Sequence, residues 1–234
     1  MKNDLSWNLQ QLRGRIVEAC EVSDRDADDI TIVAVTKTHP IAVIRTAVAA
    51  GLHNIGEARV QEAEQRIREI GAIARFHMIG HLQSNKAKKA VELFDVIQSV
   101  DSLKLAQEIS KYAVELERTI ECLIQVHTSG EDEKFGVAPG ECLDLIRAVK
   151  DLPNIKLTGL MTIGPLTEDK DLIRTAFQKC YDLFRQGQEF TGDDFEVLSM
   201  GMTEDLEPAI AEGSTMIRVG TALFGPRRPR AAGH

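Results

Sequence analysis

The chain has 234 residues, with 28 Lys and Arg against 36 Asp and Glu, for a net charge of −8. An acidic surface of that size argues against a nucleic-acid groove or a patch for anionic membranes. The composition, 43% hydrophobic and 27% charged, suffices at this length for one core without staples, and no apolar run nears the roughly 20 residues of a spanning helix.

The opening Met1-Lys2-Asn3-Asp4 meets an acid before any apolar block and does not read as a signal peptide. A leading helix is expected over Leu5–Val22. Short apolar runs rich in Val, Ile or Thr then alternate with stretches whose apolar residues recur at three and four. The expected strands are Ile30–Lys37, His53–Ala58, Arg75–Gly80, Val96–Asp101, Ile120–Thr128, Ile155–Ile163, Phe195–Met202 and Thr215–Phe224. The expected helices between them include Ile41–Ala50, Val60–Ile70, Ala87–Phe94, Leu103–Glu117, Glu141–Leu152 and Leu172–Phe190. Strands alternating with helices imply parallel pairing with right-handed crossovers, and eight such units suggest a single closed α/β (β/α)8 TIM barrel over residues 1–226. The rival is a doubly wound open sheet. Against it, no strand-to-helix junction carries GxGxxG and no GxxxxGK[ST] occurs. The last residues, 227–234, with Arg227, Arg228 and Arg230, read as a solvated tail.

Cys20, Cys122, Cys142 and Cys180 form no CxxC pair and have no histidine at a ligand interval, so they read as reduced core residues of a cytoplasmic protein. His77 and His81 form a chelating pair only on a helix. On a strand, four residues put them roughly 13 Å apart, too far for one ion. No metal is expected.

In a barrel the chemistry lies at the carboxyl ends of the strands. Lys37 ends Thr31-Ile32-Val33-Ala34-Val35-Thr36-Lys37, on the face of Val33 and Val35. A lysine held among apolar neighbours loses hydration, which exposes the neutral amine that attacks aldehydes to give a Schiff base; the bland alternative is a lysine leaving the strand into solvent. After the seventh strand comes Leu198-Ser199-Met200-Gly201-Met202-Thr203, and in the eighth Arg218-Val219-Gly220-Thr221. Barrels often bind phosphate there, and Gly201 and Gly220 let backbone N–H groups approach an anion, although ordinary tight turns explain them equally well. Arg218, between Ile217 and Val219, needs hydrogen-bonding partners, an ion pair with a strand-end acid being the plain choice. His77 and His127 read as core histidines before acid–base groups. Glu57, Gln61 and Glu62 suit a charged first helical turn, and Lys86, Lys88 and Lys89 a solvated helix face, with an anion site near the barrel mouth as the lesser alternative.

These residues resemble the pyridoxal-phosphate homeostasis proteins of the YggS/PROSC type over nearly the whole chain. The resemblance is carried by Ala34-Val35-Thr36-Lys37-Thr38, Gly56-Glu57 with Gln61-Glu62, Phe76-His77-Met78-Ile79-Gly80-His81-Leu82-Gln83-Ser84-Asn85-Lys86, and Lys134-Phe135-Gly136. It continues through Gly159-Leu160-Met161, Leu198-Ser199-Met200-Gly201-Met202 and Gly213-Ser214-Thr215-Met216-Ile217-Arg218-Val219-Gly220-Thr221. It implies a barrel similar to the alanine racemase N-terminal domain, with pyridoxal 5'-phosphate as cofactor. Lys37 would be its Schiff-base lysine, Ser199–Thr203 with Gly220 and Thr221 its phosphate loops, Arg218 the neighbour of its pyridine nitrogen, and His77 a further cofactor-binding residue. One departure is visible: the family usually carries Asn after Gly-Glu, and this chain has Ala58.

The resemblance also implies a carrier, a cytoplasmic monomer that buffers and delivers the cofactor with transient contact to its enzymes and only indirect effects on amino-acid and keto-acid pools. Such enzymes use the protonated pyridine as an electron sink, usually through a carboxylate at its nitrogen, and an arginine there does the opposite. A racemase also needs a second acid–base group, and Tyr112 and Tyr181 fall within expected outer helices. The runner-up is an amino-acid racemase, ahead of a Schiff-base aldolase for a phosphosugar.

Overall fold

A computed structural model describes residues 4–37, 39–130 and 135–226. Thr38, Lys134 and the expected tail at 227–234 lie outside them. Eight parallel strands close into one barrel in sequence order. They are β1 (Thr31–Val35), β2 (Asn54–Glu57), β3 (Arg75–Met78), β4 (Val96–Val100), β5 (Ile120–Gln125), β6 (Ile155–Met161), β7 (Val197–Ser199) and β8 (Met216–Val219). Around them run α1 (Leu5–Val22), α2 (Ile41–Ala49), α3 (Val60–Ile70), α4 (Ala87–Leu93), α5 (Leu103–Glu115), α6 (Pro139–Val149), α7 (Lys170–Thr191), α8 (Leu206–Ala211) and α9 (Thr221–Phe224).

Helix starts follow local chemistry. Asp4, Ser102 and Asp169 accept hydrogen bonds from first-turn N–H groups of α1, α5 and α7, and Pro139 opens α6. Strand alternation sorts the barrel into two shells. Ala34, Ile55, Phe76, Ile97, Cys122, Ile124 and Leu160 join the layer packed under the helices, whereas buried Val33, Val35, Val96, Met161 and Met216 stand outside that layer with a polar group made of His77, Gln98, Ser199 and Arg218.

The expected strands run long at their carboxyl ends. The eighth ends at Val219, and Thr221–Phe224 is helix: the Gly220 backbone (φ −120, ψ −66) leaves the strand, and its carbonyl accepts from Leu223 and Phe224. The seventh covers Val197–Ser199 only, because Gly201 sits at φ +93 and turns the chain toward α8. These shortened ends create the loops that surround the barrel mouth.

Candidate functional site

A cavity of about 620 Å³ opens at the carboxyl ends of the strands. Val35 and Lys37 reach it from β1, Ala58 follows β2, and Ile79 and Gly80 follow β3. The loop Ile163–Thr167 follows β6, Met202–Asp205 follows β7, and Arg218, Gly220 and Thr221 come from β8 and the start of α9. Apolar walls (Val35, Ile79, Ile163) thus face a few placed polar groups, as small-molecule sites require, and the volume falls within their usual span of roughly 300–1,000 Å³.

Arg218 is 4% exposed and, among the described residues, pairs with no acid at hydrogen-bonding distance. Its Nη1 donates to Ser199 O (2.8 Å) and Ser199 Oγ (2.7 Å), and Nη2 to Thr162 O (2.7 Å). These three bonds leave two of a guanidinium's five donors for the cavity. Burial lowers its pKa to about 10 and the nearby Asp205 opposes the shift, so it remains a cation at neutral pH. In place of the alternative ion pair, its partners are carbonyl and hydroxyl oxygens, with Asp205 acting through space. Asp205 instead accepts from Met202 N, and Thr203 Oγ1 from Ala222 N (3.3 Å). Arg15 Nη2 donates to Thr203 O (2.8 Å) while pairing with Glu207, tying α1 to this loop.

Of the residues singled out above, Lys37, Met202, Thr203, Arg218, Gly220 and Thr221 line one cavity. His77, Ser199, Met200 and Gly201 do not. His77 is buried deeper in the lumen between Asn54 and Gln98, and burial lowers its pKa to about 3. The Ser199 hydroxyl donates to Gln98 Oε1, and Met200 packs in the helix-facing core. Gly201 serves packing, since a Cβ there lies 2.6 Å from the Ala209 Cβ. Within the expected phosphate loop Ser199–Thr203, the Met202 N–H is taken by Asp205.

Sequence reasoning missed Gln98, Asp205, His39 and the Ile163–Thr167 loop. Strand-end position was the available signal for the loop. Gln98, a polar residue in an apolar strand, carried the same kind of signal as Arg218.

Glu57 is buried, its carboxylate accepting from Thr36 Oγ1 (2.7 Å) and Arg66 (2.8 Å). Desolvation pushes its carboxyl up, opposed by both partners. It is a buried brace between β1, β2 and α3, not part of an exposed first turn. Lys88 and Lys89 pair with Glu115 and with Glu64 and Glu92 on the outer face. His127 borders a smaller cavity of about 150 Å³ with His81, Gln125 and Phe135. Among the described residues, no three His, Cys, Asp or Glu cluster for a metal, and no helix is long and apolar enough to cross a membrane.

The closed barrel with a lysine and an arginine at one strand-end cavity places the molecule in a known class: the family model of the alanine racemase N-terminal domain matches residues 8–228. A pyridoxal phosphate homeostasis protein of Pseudomonas aeruginosa is 40% identical over 95% of this chain and 96% of its own length, and one of Escherichia coli is 37% identical over 96% and 97%. The solved structure of PipY from Synechococcus elongatus with PLP bound is 35% identical, with a TM-score of 0.82 over 95% of this chain and 100% of that one. An alanine racemase of Clostridium difficile, 18% identical with a TM-score of 0.78, covers 98% of this chain and 58% of its own, and shares the fold. The chain belongs to the pyridoxal phosphate homeostasis protein family.

Proposed function

We propose that this chain holds pyridoxal 5'-phosphate reversibly in the strand-end cavity, joined to Lys37 as a Schiff base, and buffers and delivers it without turnover. The observation that carries this reading is the convergence of Lys37, the buried cation Arg218 and the Gly220–Thr221 start of α9 on one cavity. When bound, the cofactor supplies an aldehyde that condenses with a lysine amine and a ring able to act as an electron sink. The apolar side chains Val35, Ile79 and Ile163 fit the faces of such a ring, and Thr203, Gly220 and Thr221 offer hydroxyl and backbone groups to its phosphate. Arg218, a donor without an acceptor, cannot share a proton carried by the ring nitrogen. That favours a neutral ring and holding over chemistry.

The relatives named above are called homeostasis proteins. Tyr112 and Tyr181, candidates for a racemase's second acid–base group, do not line the cavity. Ala58 lines it where the resembling family carries Asn, so one polar contact is replaced by a methyl group. The buried, unpaired thiols suit the cytoplasm. The chain acts there as a monomer that meets cofactor-requiring enzymes transiently, which sedimentation alone and with such an enzyme checks.

The test is the absorbance spectrum of purified protein incubated with pyridoxal phosphate, before and after borohydride, with peptide mapping. A visible band, its loss in Lys37→Ala and a reduced adduct on Lys37 are expected. An adduct on Lys86 instead overturns the assignment of Lys37. Measurable racemisation of alanine overturns the carrier reading.

A further inference from the structure

We infer that Gln98 is a positioning residue of the cavity: from within the barrel lumen its side-chain amide holds Ser199, and through Ser199 it fixes Arg218 where the guanidinium meets the ligand. Neither Gln98 nor Ser199 lines the cavity, and both are fully buried. Their contacts form one continuous chain across β8, β7, β4, β3 and β2. Arg218 Nη1 donates to Ser199 Oγ (2.7 Å), Ser199 Oγ donates to Gln98 Oε1 (2.7 Å), and Gln98 Nε2 donates to His77 Nδ1 (2.9 Å). His77 Nε2 then meets Asn54 Oδ1 at 3.1 Å.

Donor and acceptor capacities permit one direction only. Gln98 Nε2 also lies 3.2 Å from the Met216 sulfur, a group that accepts and cannot donate, so the amide nitrogen faces Met216 and His77 and its oxygen faces Ser199. The Ser199 proton is therefore committed to Gln98, and its lone pair is left to receive Arg218. His77 Nδ1 receives a proton from Gln98, which places the ring's own proton on Nε2, toward Asn54. Every polar atom of the Gln98 side chain is thereby used, and the guanidinium is held from below by an oriented hydroxyl. A lumen filled with unrelated polar groups has no reason to be directionally consistent from end to end. This consistency assigns Ser199 and His77 to the support of Arg218 and leaves ligand contact to Arg218.

The ligand-binding part of the test rests on the pyridoxal phosphate reading; the ligand-free part does not. In ligand-free protein, nitrogen-15 NMR should show His77 as the neutral Nε2–H tautomer and slowly exchanging Arg218 guanidinium protons. Gln98→Leu should lose both signatures. It should also weaken pyridoxal phosphate binding about tenfold, the scale of a buried hydrogen-bond partner left unpaired, and shift the pH titration of the visible band. Pyridoxal should lose the same factor, because the ring end is affected, and borohydride should still label Lys37. Ser199→Ala breaks the chain one link closer to Arg218, so it should reproduce the loss, and the two changes together should cost little more than either alone. It decides the matter if Gln98→Leu does not fold. Unchanged affinity and titration in a folded variant, or additive effects, overturn the inference. A wild-type protein that binds no pyridoxal phosphate overturns the functional reading instead, while the NMR signatures still judge the chain.

Discussion

His77 shows how much a residue's neighbours decide. The resemblance implies a cofactor contact for it; the strand register puts Gly56 opposite it, and its ring lies in the lumen between Asn54 and Gln98, where it stays neutral. Its folded pKa of about 3 lies below the ordinary value of 6.5, chiefly through burial and secondarily through Arg75. Above pH 6.5 neither state is protonated and the full contribution to stability is present. As pH falls from 6.5 toward 3, the unfolded chain takes up a proton that the folded chain refuses, and stability is lost. His77→Gln should therefore be less stable than wild type at pH 7, with the gap narrowing by about 3 kcal/mol by pH 4, as read by urea unfolding at both values. A constant gap would mean that His77 protonates readily in the folded state. Arg218 teaches the converse: the sequence marked it as a buried cation needing partners, and it has them, but they are oxygens of Ser199 and Thr162 that no sequence pattern indicated. An Arg218→Glu exchange would set a carboxylate against those carbonyl oxygens, so it tests folding before electronics.

In the turn between β7 and α8, Met202 and Thr203 of the expected phosphate loop line the cavity, while Gly201 packs behind it. Gly201 combines φ +93 with a Cβ position 2.6 Å from the Ala209 Cβ, so Ala there strains the backbone and displaces α8 at once. Gly201→Ala should lose about 2–4 kcal/mol of stability and weaken pyridoxal and pyridoxal phosphate by the same factor. At Gly220, φ is negative and the nearest atom to a built Cβ is Val35 O at 3.2 Å, beside the cavity wall. Gly220→Ala should discriminate against the phosphorylated vitamer, and equal losses in a binding titration of both would remove Gly220 from the phosphate side. The helices themselves were legible: α1 and α3 match their expected bounds because amphipathic spacing is a local property. Strand ends were not legible, because apolar residues continue past the point where Gly201 and Gly220 turn the chain. α8, six residues long, is too short for a three-and-four apolar spacing to reveal.

The molecule as a whole keeps all four thiols inside the helix-packed layer. Burial pushes Cys142 up to about 12 and raises Cys20, Cys122 and Cys180 as well. A thiol reagent at pH 8 should therefore modify none of them quickly in the native state and four in denaturant. A fast-reacting native thiol would indicate an opening of the barrel wall near that cysteine. Closure joins β8 back to β1, so Arg218 stands opposite Val33, two residues below Val35 and four below Lys37. This juxtaposition spans the chain nearly end to end. The sequence alone determined the barrel, most of its helices and the position of Lys37 at the end of the first apolar run, because periodicity, propensity and a polar residue after an apolar run are properties of neighbours along the chain. Which polar residues meet the cavity and which stand behind it was decided only by the tertiary structure. A hydrogen-bond chain through Gln98 joins five strands distant in sequence, and the pairing of those strands depends on register and closure that no local pattern encodes.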